Sequence, residues 1–511
     1  MSGGGRDIDG WFRAHLAGAL LTMVVSARLW CQSPLVLTRH EFDFFLGLFQ
    51  GSTPGVAAER LQWGRALHLL AFVVLGLLYA RNVLLLSRLP HAWTTRQVAT
   101  RSALVALVFA LGMPWVSPDV FFYIGTGWME AHYGLNPYQH SMASVPGHAA
   151  DPMFANVYPH FFQGTTSYGP AFQKLAAGLA ALSGGSIKLA LALHKALYLG
   201  LHAAASAMVY RLAPPGWRRA ALFGYAANPL ILFSVLTCAH NDHLMNVCIL
   251  GALCLLQRRQ ALAAGVALGA AFSLKYFPLV FLPIFMAMAL LQCAGPRLGW
   301  TDWRRAALLL AGFVLAALAL QQLYPVSSSE PGRVAHLVST GVGVYRNSVF
   351  HLIELLTRDV VPLLFGVPEA LISREDLGGV LRLTYMGGYG LLCWRYWPRL
   401  RREPFEGGIE LCLMATLLYF VLVNTSNQEW YLTWLMGFAF ILPSKPARTL
   451  GLWLSVGFVP LVIYTVKANV TTMHVANTAL YLLVLVCTWV YMRRQVAAVA
   501  ATDVAAAQRQ A

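Results

Sequence analysis

Apolar runs of near-bilayer length recur along this chain, separated by short arginine-rich turns and by three longer polar stretches. A helix of about 20 apolar residues, rising 1.5 Å per residue, crosses a hydrocarbon core of about 30 Å. On that scale the pattern predicts spans near 11–31, 64–82, 99–117, 187–210, 218–237, 242–257, 260–275, 276–293, 305–324, 378–395, 406–424, 429–443, 448–466 and 473–492. That makes an all-α polytopic membrane protein of roughly fourteen transmembrane helices. The first apolar stretch, Trp11 to Trp30, has no small-residue cleavage site after it and reads as a retained span.

Lysine and arginine gather in the short turns: Arg81, Arg88, Arg96 and Arg101; Arg211, Arg218 and Arg219; Arg258 and Arg259; Arg297, Arg304 and Arg305; Arg395, Arg399, Arg401 and Arg402; Lys445 and Arg448; Arg493 and Arg494. Basic turns stay on the cytoplasmic side. All of these turns share that side only if Pro170–Leu182 lies along, or dips into, the outer face instead of crossing it. Both termini are then cytoplasmic. The outer side receives the long stretches Cys31–Gln62, Pro118–Ser186 and Pro325–Leu377, and the turns Cys238–His243, Lys275-Tyr276, Asn424–Glu429 and Lys467–His474.

Composition agrees with this layout. Charged residues are 11% and hydrophobic residues 58%, where a soluble domain is about a quarter charged. The formal charge of +16 is explained by the basic turns, so it reports topology and not nucleic-acid binding. The eight cysteines have no metal or redox spacing, and Cys248, Cys254, Cys393, Cys412 and Cys487 fall inside spans. No internal repeat is visible, and the Ala-rich stretch after Gln495 reads as a disordered tail.

The second outer stretch holds most of the candidate chemistry. Asp119 stands where a span ends, at a depth where a carboxylate reaches both a lipid-anchored and an aqueous substrate, and partial desolvation would make it a better proton acceptor. Around it the sequence places Tyr123, Tyr133, Tyr138, Tyr158, Tyr168, Trp128, Asn136 and four histidines, side chains that suit the apolar faces and polar rims of a sugar. An interfacial aromatic belt with a solvated Asp accounts for the same residues.

A second cluster, Cys238-Ala-His-Asn-Asp-His243, ends a span after Asn228-Pro229. Ionisable groups at that depth point to function. His240, Asp242 and His243 could bind a metal, but no convergent ligand set is visible, and sugar binding or a hydrogen-bond network that includes Asn241 fits better. Lys275 and Tyr276, in Ser273-Leu-Lys-Tyr-Phe-Pro278, sit at the tip of a tight hairpin, where the ammonium either neutralises a lipid phosphate or snorkels. Arg346 offers another outer cation, and Glu429, Trp430 and Tyr431 open a later span.

Five segments in order resemble the GT-C superfamily of membrane glycosyltransferases, and most closely its polyprenol-phosphomannose-dependent α-1,6-mannosyltransferases. They are Asp119-Val-Phe-Phe-Tyr123, Gly134–Tyr138, Tyr168-Gly-Pro170, His240-Asn-Asp242 and Lys275-Tyr-Phe-Pro278. Pro118 stands where the family has Arg before the acid, and Phe121 where it has Tyr. The resemblance implies a GT-C-like bundle with a large extracytoplasmic loop. It also implies inverting transfer of a hexose, mannose by the family, from a polyprenyl-phosphate donor to an envelope glycan or glycolipid on the outer face. Asp119 would be the base, Lys275 and Arg346 would hold phosphate, and Tyr123, Asn136, Tyr138, His240 and Asp242 would orient sugar hydroxyls. No cofactor is expected, because the lipid-linked donor is itself a substrate, and no nucleotide-binding loop is visible.

The expected organisation is an N-terminal membrane hairpin (1–98), a catalytic core (99–300) containing the outer loop 118–186, a C-terminal transmembrane region (301–494) and the cytoplasmic tail (495–511). Two other readings fit a membrane setting. One is a transporter or flippase of lipid-linked sugars, which would favour repeated halves and midplane charge; here the one clearly intramembrane cation pair is His194-Lys195. The other is an outer-face ligase or polymerase of whole glycans.

Overall fold

A computed structural model describes residues 3–31, 58–114, 117, 119–157, 161–292, 298–324, 348–356, 365–366, 373–424 and 428–458. Arg346, the expected span 473–492 and most of the first and third outer stretches lie outside the described residues. Among the described residues the fold is helical throughout, without strands. In chain order the helices used below are α1 (Gly3–Cys31), α2 (Ala58–Arg88), α3 (Thr95–Ala110), α4 (Asp119–Tyr133), α5 (Pro170–Leu182), α6 (Ile187–Leu212), α7 (Arg218–Ala226), α8 (Pro229–Leu232), α9 (Asp242–Gln257), α10 (Ala261–Leu274), α11 (Leu282–Leu291), α12 (Trp300–Gln321), α13 (Val349–Leu355), α14 (Arg374–Arg402), α15 (Pro404–Leu422), α16 (Thr433–Ile441) and α17 (Lys445–Trp453).

Among the described residues four helical stretches are long and apolar enough to cross a membrane: Leu70–Arg88, Arg218–Thr237, Trp300–Gln321 and Pro404–Leu422. Shorter apolar helices cover Asp242–Gln257, Ala261–Leu274, Phe277–Leu291 and Trp430–Ile441. These coincide within two residues with the predicted spans 242–257, 260–275, 276–293 and 429–443, and two of them begin in irregular backbone. A 3-10 turn, Phe277–Phe281, precedes α11, and another, Glu429–Leu432, precedes α16.

Packing has the character of helices in lipid. On α10, a Cβ at Gly265 would lie 2.0 Å from the Leu309 carbonyl oxygen of α12, and one at Gly269 would lie 2.5 Å from that of Phe313. Gly312 of α12 returns the contact against the Leu262 carbonyl. Small residues four apart let two backbones touch, which is how helices associate without a hydrophobic driving force. The opposite side of α12 exposes Leu310, Val314, Leu315 and Leu318. A water-facing side would instead be polar.

The stretch 118–186, expected as an outer loop, carries two α-helices, α4 and α5, with short 3-10 turns and irregular backbone among the described residues between them. α4 follows from the run Val-Phe-Phe-Tyr-Ile-Gly-Thr-Gly, which is buried from Val120 to Gly127. It packs against α5, where a Cβ on Gly127 would lie 2.5 Å from the Ala176 carbonyl oxygen. α5 has 13 residues, too few to cross about 30 Å of hydrocarbon. Asp151 ties the rest of the region down: it accepts hydrogen bonds from Trp128 Nε1, Tyr133 Oη and the Met153 amide, each at 2.8 Å.

The stretch Arg218–Thr237 is interrupted halfway. Asn228 caps the new start by accepting from the Leu230 and Ile231 amides at 3.0 and 3.3 Å, and Pro229 occupies the first turn of α8, where its missing N–H costs nothing. The Asn228 amide also donates to Ser455 Oγ at 2.7 Å and to Tyr79 Oη at 3.1 Å, so the break is fully bonded. A π-helical turn, Phe233–Thr237, follows α8.

The two ends of the bundle differ in chemistry. At one end Arg219 donates to the Pro90 carbonyl at 2.6 Å, Arg101 pairs with Asp9 at 2.7 Å and lies over Trp93, and Arg448 lies over Trp217. The interrupted stretch starts at that end with Arg218 and Arg219 and finishes at the other with His240. α9 then runs back from Asp242 to Arg258 and Arg259.

Candidate active site

Tyr168-Gly169-Pro170 and Ser273–Pro278, more than a hundred residues apart, meet directly. The Gly169 amide donates to the Leu274 carbonyl at 3.3 Å, and a Cβ at Gly169 would lie 2.0 Å from the Ser273 oxygen. Glycine is required by this approach, and Pro170 then starts α5. The contact sets Tyr168 beside the hairpin that carries Lys275.

Asp119, the first residue of α4, accepts from Tyr168 Oη at 3.4 Å, and its Oδ2 lies 3.7 Å from His240 Nδ1. Burial raises its carboxyl to about 6, with the neighbouring Asp242 charge adding to the rise and Lys275 opposing it. His240 is buried and stacks on Trp430 with ring centroids 4.0 Å apart. It is reached through an unusual backbone: after the π-turn, Ala239 takes φ +53, a left-handed conformation that a side chain disfavours. Strain of this kind persists only where surrounding structure enforces it, and it clusters at functional sites.

Lys275 Nζ donates to Asp242 Oδ1 at 2.7 Å and lies 4.2 Å from the Tyr431 ring centroid and 4.8 Å from that of Trp434. Trp434 Nε1 donates to the same carboxylate oxygen at 2.8 Å. Asp242 is 2% exposed, whereas 28% of the Lys275 side chain remains accessible. An ammonium has three donors, and among the described residues one is used. The aromatic faces add attraction for the cation without consuming a donor.

Most of the sequence candidates therefore converge. Asp119, Tyr168, His240, Trp430, Tyr431, Lys275 and Asp242 form one continuous cluster through the contacts above, with Trp430 and Tyr431 in edge contact at 5.8 Å. Tyr123 joins it by donating to Asn241 Oδ1 at 3.4 Å and by an edge contact with Tyr168 at 4.9 Å. Tyr276 packs on Phe272.

Other candidates have their polar groups committed within the protein. Asn136 Oδ1 accepts from the Tyr138 amide at 3.0 Å, closing the Asn-Pro-Tyr turn. Tyr138 Oη donates to the Tyr168 carbonyl at 2.6 Å, which fixes Tyr168 instead of presenting the hydroxyl. The Asp242 carboxylate is engaged by Lys275 and Trp434. The Glu429 side chain and Arg346 lie outside the described residues.

Sequence reasoning missed Trp434, whose indole completes the Lys275–Asp242 pair, and the group in which Glu130 meets both Lys174 and Tyr324, with Tyr324 against Tyr138 at 4.9 Å. The signal for Trp434 was only its position one turn after Trp430. Among the described residues no three His, Cys, Asp or Glu side chains gather as metal ligands.

A family model described as alpha-(1->6)-mannopyranosyltransferase, N-terminal domain, matches residues 16–292, more than half of the chain. The chain belongs to the MptA_B family. It is a glycosyltransferase of a mannose-transferring family, and no curated protein sequence matches it. All five motif segments lie inside the matched region, while Trp430, Tyr431 and Trp434 reach the same cluster from beyond it.

Proposed function

We propose that this MptA_B family member transfers mannose from a polyprenyl-phosphate donor to a hydroxyl of an envelope glycan or glycolipid, with inversion, on the side of the membrane opposite the basic turns. Asp119 takes the proton as the acceptor oxygen attacks the anomeric carbon. The bond from that carbon to the phosphate oxygen breaks, and polyprenyl phosphate leaves with the electron pair. The two remaining N–H donors of Lys275 meet the growing phosphate charge in a site already built around the cation. Asp242 and Trp434 hold that ammonium in place, while Tyr168 and His240 flank the base.

The observation that carries this reading is the union, in one cluster, of a carboxylate with raised basicity and a lysine that spends one of its three donors among the described residues. A base titrating near 6 is ionised at neutral pH yet binds a proton more readily than an ordinary Asp. Clustering of the basic turns at the far end of the bundle supports an outer-face site by the positive-inside rule.

Purified protein in lipid, given polyprenyl-phosphate mannose and a mannan oligosaccharide, should form product, and a nucleotide-linked mannose should not replace the donor. Asp119→Asn should slow turnover by about 10²–10⁴-fold, the usual cost of a lost general base, with the donor KM little changed. Equal use of the nucleotide sugar would reject the donor class.

A further inference from the structure

Lys195 lies within α6, well inside the bundle, and has no part in the site described above. Its ammonium donates three hydrogen bonds, all to backbone carbonyls: Gly112 at 2.6 Å, Leu236 at 2.8 Å and Thr237 at 3.1 Å. Gly112 follows the end of α3, and Leu236 and Thr237 close the π-turn. Leu236 and Thr237 belong to the carbonyls that a helical C-terminus leaves without partners, Gly112 stands just past the end of α3, and such ends attract a cation. Gly112 permits the approach, since a Cβ there would lie 2.8 Å from Met23 Sδ and 3.2 Å from Thr237 Cγ2. Thr237 Oγ1 adds a bond to the Phe109 carbonyl at 2.9 Å.

Two of the gathered carbonyls, those of Leu236 and Thr237, immediately precede the strained Ala239 and the residues His240, Asn241 and Asp242. With Lys195 removed, three buried acceptors lose their partner, and among the described residues no other cation bonds to them. We infer that Lys195 is the positioning residue of the His240–Asp242 turn. By drawing the ends of α3 and the π-turn together it fixes where His240 meets Asp119 and where Asp242 meets Lys275. The consequence for catalysis rests on the proposed transferase reading; the positioning itself does not.

Two buried native thiols separate local from global loosening. Cys238 sits in the turn and Cys412 in α15, 1% and 0% exposed. Proteins keeping only one of these cysteines would be labelled with N-ethylmaleimide in a lipid-reconstituted state. Lys195→Met should accelerate labelling of Cys238 by at least about tenfold and leave Cys412 protected. Lys195→Gln serves the same comparison if the Met variant does not accumulate. Unchanged Cys238 protection, or parallel exposure of both thiols, would overturn the inference. Mannose transfer from polyprenyl-phosphate mannose should fall as Cys238 opens. If Cys238 opens selectively but the parent protein transfers no mannose, the functional reading fails and the positioning role stands.

Discussion

Two half-buried lysines in this molecule are bonded differently. Among the described residues Lys195 directs its donors at three backbone carbonyls and meets no carboxylate. Among the described residues Lys275 makes one hydrogen bond, to Asp242, and it rests against two aromatic faces with part of its side chain open. Saturated donors describe a brace. Unspent donors beside an aromatic surface describe a cation held ready for an anion. A buried charge is costly in either place, so each needs its partners, but only the second arrangement leaves chemistry for a ligand.

The largest effect expected from breaking this contrast is at Lys275. Lys275→Met should weaken apparent affinity for polyprenyl-phosphate mannose by about 10–100-fold, the range of a charge-assisted hydrogen bond. Lys275→Arg should keep part of it, because charge survives although geometry changes. The Met variant also strands Asp242, so the pair Lys275→Met/Asp242→Asn should recover thermal stability but not donor affinity. Recovery of both would make Lys275 a structural cation like Lys195.

Gly169→Ala comes next. A Cβ overlapping the Ser273 carbonyl must push the Tyr168 turn away from the hairpin, costing about 1–3 kcal/mol of stability, as overpacking usually does, with loss of activity. A thermal melt indistinguishable from the parent's would show that these two segments do not need to touch.

The smallest expected effect is a pH dependence. Transfer should rise as pH increases through about 6, where Asp119 loses its proton. The folded state holds that proton more tightly than the unfolded chain does. The stability contribution of Asp119 is therefore fully present below its ordinary pKa and lost as pH rises through about 6. Asp119→Asn should remove that slope from a denaturation series; an unchanged slope assigns it to another group.

Much of the site was visible in the sequence because its residue types are rare in apolar surroundings. Asp119, His240, Asp242 and Lys275 stand out at the ends of hydrophobic runs, and their order carried the family resemblance. What the chain did not disclose was pairing across distance. Nothing local says that Lys275 bonds Asp242, because that depends on how the hairpin formed by α9 and α10 closes. Nor does it say that Asn136 and Tyr138 use their polar groups on the turn and on Tyr168. The helices in 118–186 were hidden for a related reason: their apolar runs are too short to read as spans and are interrupted by glycines that turn out to be packing contacts. The three carbonyls around Lys195 come from two segments remote in sequence, so only the fold shows them together.

The division of labour between Asp119 and Lys275 is tested most directly by a single turnover from preloaded donor. Protein in lipid would be saturated with radiolabelled polyprenyl-phosphate mannose, freed of excess, and mixed with mannan acceptor, with bound donor and product followed in time. The parent should convert its bound donor in one phase. Asp119→Asn should hold the same amount of donor and release product at least about a hundredfold more slowly, whereas Lys275→Met, with its weakened affinity, should lose most of its donor as the excess is removed. Product formation by Asp119→Asn at the parent's rate, or full donor retention by Lys275→Met, would contradict the account.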